Sequence, residues 1–177
     1  MALSLSNLDD RTRKFMIAEF DSDVTNNQLY LSNRLTAGGQ QQYPDLLRQA
    51  IQSGDDNLLA QSIRNTGIIK TQEERRSQTK GVILAKVPAN APEMLAEGEF
   101  NRFYCRGVCA RAIEEGIADV VAYRAKHTEH PRTESEAKIG QGFNAKELLE
   151  DLRTNQGRNT LFGLPGGPNS GLSVQLP

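Results

Sequence analysis

The sequence predicts a mainly α fold of the α+β class, in which a helical domain carries a small two- or three-stranded sheet and an extended C-terminal arm. Apolar residues recur at helical spacing in several segments, and two short stretches are rich in β-branched residues. The stretch from residue 155 onward contains five glycines and three prolines, which prevents a regular repeat. At 177 residues the chain has the length of one domain. We therefore predict one helical domain over residues 1–154 and an arm over residues 155–177.

The overall composition is polar and electrically balanced. Apolar residues make up 37% of the chain and charged residues 24%, with a mean hydropathy of −0.55. Lys and Arg number 21 against 22 for Asp and Glu, so the net charge of −1 provides no global field toward nucleic acid. No apolar run approaches the length of a membrane span, and residues 1–8 lack the pattern of a secretory signal. We expect a cytoplasmic protein without membrane contact.

Three helices are predicted in the N-terminal half. The first spans about Leu8–Phe20, where apolar residues recur at helical spacing behind an acidic first turn. Residues 21–42 are polar and are expected to form a long connection with a few apolar anchors. Pro44 begins the second helix, and the acidic residues 55 and 56 cap the third, which stops at Gly67.

Two strands and two further helices are predicted in the rest of the domain. Val82–Val87 and Val120–Tyr123 are rich in β-branched residues, and we expect these two strands to pair with each other. Between them, Pro88–Gly116 has a wide apolar stripe that is typical of a core helix. Gly98 leaves two alternatives open, one long helix or a short helix followed by a longer one. A last short helix is predicted over Ala145–Arg153.

Two groups of basic residues are candidates for contacts with a partner. The polar segment 70–80 carries Arg75 and Arg76, and it is either a solvated helix or mobile loop or a loop that contacts phosphate groups. The central helix carries Arg102 and Arg106 among several glutamates. Opposite charges at this density are typical of ion pairs within or between subunits, and the same arginines are candidates for a cationic contact surface.

All cysteines and histidines of the chain fall in one window, as Cys105, Cys109, His127 and His130. Four such side chains equal the number of ligands in a structural zinc site. Their spacing does not match the usual zinc motifs, and two cysteines four residues apart on a helix are typical of small core residues. Metal binding by these residues stays open, and we expect no cofactor.

The motifs of enzyme catalysis are lacking from the sequence. Glu97 and Glu99 are candidates for a carboxylate pair in acid–base chemistry, but no nucleophile accompanies them. The glycine-rich stretch 165–171 lacks the helix and the lysine that follow a phosphate-binding loop. We therefore predict that the protein is not an enzyme.

The C-terminal arm retains apolar residues that a freely disordered tail lacks. We interpret them as anchors that hold the arm on a surface, either on its own core or on a neighbouring subunit. Together with the four arginines they form the set of predicted interaction residues: Leu161, Phe162, Leu164, Leu172, Val174, Leu176, Arg102, Arg106, Arg75 and Arg76.

Four segments resemble a family of uncharacterised small proteins of phages and prophages. They are GEFNRFYCRGVCARAIEEG (Gly98–Gly116), YRAK (Tyr123–Lys126), PRTESEAKIG (Pro131–Gly140) and PGGPNSGLSV (Pro165–Val174). The resemblance covers about the C-terminal half of the chain. It implies a protein of the virion or of its assembly, such as a head–tail connector, neck or capsid accessory component, and it brings no catalytic or binding residue to carry over.

These observations lead to one main functional expectation and two alternatives. We expect a structural protein of a phage particle that docks neighbours through its C-terminal arm. Its partners would be copies of itself and other virion proteins, and it would move from the host cytoplasm into the virion. One alternative is a nucleic-acid-binding accessory protein that uses the 70–80 segment and the arginines of the central helix. The other is an enzyme or inhibitor that acts on a host target.

Overall fold

The fold is mainly helical and of the α+β class, as the sequence predicts. The computed structural model describes residues 3–77, 81–128, 133–156, 160–167 and 170–177. Within these residues it has six helices and two small antiparallel sheets. The helices are α1 Asp10–Thr25, α2 Ala37–Ser53, α3 Asp56–Thr66, α4 Ala91–Glu114, α5 Thr133–Glu136 and α6 Ala145–Thr154, and the strands are β1 Gln72–Ser77, β2 Gly81–Lys86, β3 Asp119–Arg124, β4 Gly142–Asn144 and β5 Leu172–Gln175.

Helix α4 is the central element of the core. It is one continuous helix of 24 residues that passes through Gly98, which decides between the two alternatives. Helices α1, α2, α3 and α6 and strands β3 and β5 all pack against it. Because its neighbours surround it, residues on opposite sides of the helix, such as Phe103 and Cys105, are both buried. Helix α4 is therefore buried on all sides, whereas a surface helix buries a single apolar stripe.

Gly107 allows α1 to cross α4 at very short range. A Cβ atom added at Gly107 would lie 2.5 Å from Cγ of Met16 and 3.2 Å from the carbonyl oxygen of Thr12. Any larger side chain would therefore push the two helices apart. This close crossing brings the second half of α1 against the arginines of α4.

The first two helices differ from their predicted bounds. Helix α1 extends to Thr25, and α2 begins at Ala37, so the long connection predicted over 21–42 is wrong at both ends. Thr36 caps α2 by accepting a hydrogen bond from the N–H of Gly39 at 3.0 Å. Pro44 therefore lies inside the helix and does not begin it. Tertiary packing outweighs the weak local propensity here, because an added Cβ at Gly39 would lie 2.6 Å from the carbonyl oxygen of Ile68.

Capping residues predict the third helix correctly. The carboxylate of Asp55 accepts a hydrogen bond from the N–H of Leu58 at 2.7 Å, and α3 ends at Thr66, with Gly67 as its C-cap at a φ of +63°. The predicted helix over Ala145–Arg153 is also present as α6. Local chemistry at the helix ends is sufficient for these two elements.

The two predicted strands exist but do not pair with each other. Strand β2 pairs with β1 in a two-stranded hairpin, whereas β3 is the middle strand of a separate sheet with order β4-β3-β5. The segment 70–80 was expected as a helix or loop, and that expectation is wrong because its residues 72–77 form β1. The short connection between β1 and β2 favours the local hairpin over a pairing with the distant β3.

The last strand belongs to the core of the domain. Leu164, Leu172 and Val174 are almost completely buried and lie in the main hydrophobic cluster. Between the latter two, the hydroxyl of Ser173 is also buried and donates to Oδ1 of Asn101 in α4 at 2.6 Å. Strand β5 is thus covered by α4 on one side while it pairs with β3 along its edge. The arm predicted over residues 155–177 therefore contributes a strand to the core of the domain. The sequence did not reveal this strand, because consecutive buried residues hide the alternation of a half-buried strand.

The two ends of the described chain meet beside β5. The N–H of Leu176 donates to Oδ1 of Asn7 at 2.9 Å, and the hydroxyl of Ser6 donates to Oε1 of Gln175 at 3.0 Å. The N–H of Ser4 donates to the carbonyl of Ala125 at 2.8 Å. Residues before α1 therefore form hydrogen bonds with the ends of β3 and β5.

Candidate protein interaction site

Arg106 was predicted as an interaction residue, and the structure places it inside the protein. It is 1% exposed. Its guanidinium donates to Glu19 Oε2 at 2.9 Å and to Asp23 Oδ2 at 2.6 Å, and it lies 5.0 Å from the centre of the Phe103 ring. The interpretation as an internal ion pair is thus the correct one, because a partner cannot reach a side chain that is buried between α1 and α4.

Arg102 is also directed inward and is not available as a surface contact. It is buried, it donates to the carbonyl of Asn155 at 2.8 Å, and its Nε lies 3.8 Å from Glu99 Oε1. Arg153 from α6 joins the same group of charges by donating to Glu19 Oε1 at 2.6 Å. Three arginines and three buried carboxylates, counting Asp23, therefore tie α1, α4 and α6 together.

Glu99 has the most unusual ionisation in this group. Burial raises its pKa to about 7, although the guanidiniums of Arg102 and Arg106 favour the charged form; the carboxylate of Asp23 adds to the increase. Tyr43, whose hydroxyl is fully buried, feels the charge of Glu99, and burial together with that charge raises the pKa of the tyrosine. Glu99 therefore holds a proton in the folded protein under conditions in which an exposed glutamate has lost it.

The pKa of Glu99 predicts a pH-dependent stability. Between about pH 4.5, the ordinary value, and about pH 7 the folded state binds a proton that the unfolded chain has released. The stability that the folded state gains from binding this proton is fully present below about pH 4.5 and is lost as the pH rises through about 7. We expect Glu99→Gln to be more stable than the wild type at pH 8 by about 1–3 kcal/mol, with a smaller difference at pH 5.

Urea unfolding of both proteins at several pH values measures this difference. Glu150→Gln, which removes an exposed carboxylate from α6, is the control and should follow the wild type. A constant difference between wild type and Glu99→Gln from pH 5 to pH 8 would contradict the assignment.

The cysteines are core residues of α4, and the structure offers them no exposed chemistry. Cys105 and Cys109 are both free and fully buried. Burial raises the pKa of Cys105 to about 11 and that of Cys109 well above its ordinary value. His127 is exposed, and His130 lies outside the described residues. In the part of the chain that the structure describes, no group of three or more such side chains could hold a metal ion.

Half of the apolar residues of the predicted arm are not available to a partner. Leu164, Leu172 and Val174 are buried in the core described above, so of the two alternatives for these anchors the structure shows docking on the chain's own core. Phe162 packs its ring edge-on against Phe143 at a centroid distance of 5.9 Å, and Leu176 is partly buried against the core. Leu161 alone of the six is widely exposed, at 87%.

Three consecutive exposed apolar residues lie on the β1–β2 hairpin. Val82 and Leu84 are 63% and 64% exposed, and Ile83 between them is also exposed. Successive strand residues point to opposite faces, so both faces of β2 present apolar side chains to solvent. On β1, Arg75 and Arg76 are exposed as well, which makes them the two predicted interaction residues of basic type that a partner can reach.

The base of the hairpin is held firmly on the domain. The guanidinium of Arg34 donates to both carboxylate oxygens of Glu73, at 2.6 and 3.1 Å, and Arg75 Nε donates to the same carboxylate at 2.8 Å. Hydrogen bonds to Arg34 and then to Arg75 lower the pKa of Glu73. The side chain of Val87, at the end of β2, is buried. A fixed base with an open apolar strand beyond it gives the geometry of a docking element.

Sequence reasoning identified β2 but not its exposure. An apolar run such as VILA is typical of a buried strand. The neighbouring segment contains the missing information, since each position of β2 from Val82 to Ala85 lies opposite a charged residue, in the order Arg76, Arg75, Glu74 and Glu73. Charged residues at consecutive positions of β1 point to both faces, which excludes a core on either side of the hairpin.

No family model, no curated protein and no solved structure matches this chain. Among the described helices, none combines the length and hydropathy that a bilayer span requires. The function proposed next therefore rests on the residues and contacts of the hairpin.

Proposed function

We propose that the protein is a non-enzymatic structural protein that assembles with other protein subunits, as a connector, neck or capsid accessory component of a phage particle does. The observation that carries this proposal is the exposure of Val82, Ile83 and Leu84 on both faces of the hairpin. Scattered exposed apolar residues are ordinary, but consecutive ones on a sheet edge invite pairing with another chain. A partner that covers this strand removes its apolar side chains from water.

The docking element in this proposal is the hairpin, which takes the role first assigned to the C-terminal arm. A hairpin that stands away from its domain inserts into or beside a neighbour without moving the core of either protein. Exposed arginines on β1 border the apolar strand and provide the polar margin that is common at protein interfaces. Three exposed apolar residues make a small contact, and backbone hydrogen bonds along the strand edge or several copies per particle add to its stability.

A double variant tests this function. Val82→Lys with Leu84→Lys places two charges on the apolar face of β2, and it should leave the folded domain unchanged to within about 0.5 kcal/mol, because both side chains are exposed. In cells that produce the particles, the wild-type protein should sediment with the particle fraction in a fixed ratio, whereas the double variant should remain in the free fraction. Val24→Lys with Ile113→Lys, at two other exposed apolar positions, is the control and should sediment like the wild type.

The same sedimentation experiment distinguishes the proposed structural role from the alternative of nucleic-acid binding. A two-stranded ribbon fits the major groove of DNA, and Arg75 and Arg76 lie on such a ribbon. Glu73 and Glu74 precede them on the strand and oppose a phosphate contact. Wild-type protein that is absent from particles, and that is released from nucleic acid by moderate salt, would contradict the structural role and favour this alternative.

A further inference from the structure

The two edges of the hairpin differ in their protection against pairing. Strand β1 carries Glu73, Glu74, Arg75 and Arg76, and charged side chains on an edge strand oppose the approach of another strand. Strand β2 has no charged residue from Gly81 to Ala85. In the part of the chain that the structure describes, β2 pairs with β1 alone, so its outer edge is open. The unprotected edge is also the apolar one.

Hydrogen bonding inside the hairpin determines which groups face outward. The N–H of Val87 donates to the carbonyl of Thr71 at 3.0 Å, which makes this a hydrogen-bonded pair. Such pairs alternate along an antiparallel ladder, and the register from Gln72↔Lys86 to Ser77↔Gly81 continues from it. The backbone N–H and C=O groups of Val82, Leu84 and Lys86 therefore point away from β1. They form a regular row of donors and acceptors along the open edge.

We propose that this edge pairs with the β2 strand of a second copy of the chain, giving a four-stranded antiparallel sheet around a twofold axis at Leu84. This inference rests on the proposed function and names one partner for its docking element. In this register Leu84 lies opposite Leu84 of the second copy, and Val82 lies opposite Lys86. Every outward-facing residue of β2 then has a hydrogen-bonding partner, and no like charges lie opposite each other.

The stability of a hairpin explains why a second copy suits this edge. An isolated two-stranded hairpin is marginal in water, whereas three or more strands with an apolar face are stable. A second copy supplies two strands at once and places the exposed Val82 and Leu84 side chains of both copies side by side on one face. Twofold pairing of identical patches is also the commonest symmetry of protein dimers. The charged β1 strands then form the two outer edges and limit further growth of the sheet.

Two proline variants test which edge is used. Leu84→Pro removes the outward N–H of β2 without removing a hydrogen bond to β1, and it places a proline ring at the centre of the proposed pairing. Glu74→Pro makes the same change on the outer edge of β1, because Glu74 and Leu84 lie opposite each other. Light scattering over a range of concentrations should give twice the chain mass for wild type and Glu74→Pro. For Leu84→Pro the dimer dissociation constant should rise about tenfold or more.

Cysteine variants provide a second measurement that does not depend on proline. Residues opposite each other in such a pair have Cα atoms about 5.5 Å apart, within the reach of a short bifunctional thiol cross-linker. Leu84→Cys should therefore be cross-linked between two copies by such a reagent, and Glu74→Cys should not. The native Cys105 and Cys109 are fully buried and do not compete.

The outcomes separate this inference from the proposed function. A monomeric wild type at all concentrations, or a dimer that Glu74→Pro breaks and Leu84→Pro leaves intact, overturns the β2 pairing. If the monomer still joins particles through Val82 and Leu84, the hairpin docks on a different protein and the proposed function survives. A dimer with the expected variant pattern that never joins particles supports the pairing and contradicts the function.

Discussion

Replacing Val174 by aspartate is expected to unfold the protein or to lower its free energy of unfolding by more than about 4 kcal/mol. Val174 is fully buried in β5, between Ala122 of β3 and the residues of α4. A carboxylate at this position has no partner and no access to water. Removal of residues 171–177 should have the same result, because Leu172 and Val174 together contribute about 3–6 kcal/mol of burial, a large part of a typical domain's stability.

Leu161→Asp is the matched control for this prediction. It makes a comparable chemical change in the same C-terminal segment, but Leu161 is 87% exposed, so the free energy of unfolding should change by less than about 0.5 kcal/mol. Circular dichroism and urea unfolding measure both variants. A folded, stable Val174→Asp protein would show that β5 is dispensable and would restore the expectation of a separate arm.

Replacing Arg106 by methionine is expected to cost about 3–5 kcal/mol of stability. The substitution keeps much of the side-chain volume but removes the positive charge that both Glu19 and Asp23 contact. Arg153 still neutralises Glu19, so the carboxylate of Asp23 is the one left buried without its main partner. Urea unfolding at neutral pH measures the loss.

Two further variants show whether the loss comes from the buried charge. Arg64→Met breaks the exposed pair with Glu93 and should cost less than about 1 kcal/mol. Adding Asp23→Leu to Arg106→Met removes the unpaired carboxylate and should recover part of the stability. If the double variant is less stable than Arg106→Met alone, the cost does not arise from an uncompensated charge.

The sequence predicts those elements whose determinants are local. A capping aspartate and a glycine mark the two ends of α3, and a long stretch of apolar residues at helical spacing indicates α4. Both helices can therefore be predicted from residues close together in the sequence. The start of α2 does not, because it depends on how closely Gly39 approaches Ile68, a residue far along the chain. The sequence also could not show that α4 continues through Gly98. An added Cβ at this position meets nothing within 4 Å, so no packing requirement explains the glycine.

The candidate site was only partly predictable, because the two strands concerned do not differ in burial between their two faces. Strands β2 and β5 each have similar side chains on their two faces, since β2 is exposed on both and Leu172, Ser173 and Val174 of β5 are buried in succession. Neither strand shows the alternation from which burial is inferred. As a result the sequence revealed neither the exposure of the apolar residues of β2 nor the burial of those of β5. The position of Arg106 could not be predicted either. Arginine is usually a surface residue, and Arg106 is buried because it pairs with two carboxylates of α1 that are distant in sequence.

The position of β5 also constrains how the protein is made. It follows every other described element in the chain, so it is the last of them to leave the ribosome. Until β5 emerges, the side of α4 that it covers stays exposed and the edge of β3 that pairs with it has no partner strand. Folding of this domain must therefore finish after nearly all of it has been synthesised, and early products are exposed to chaperones and proteases for the whole of that interval.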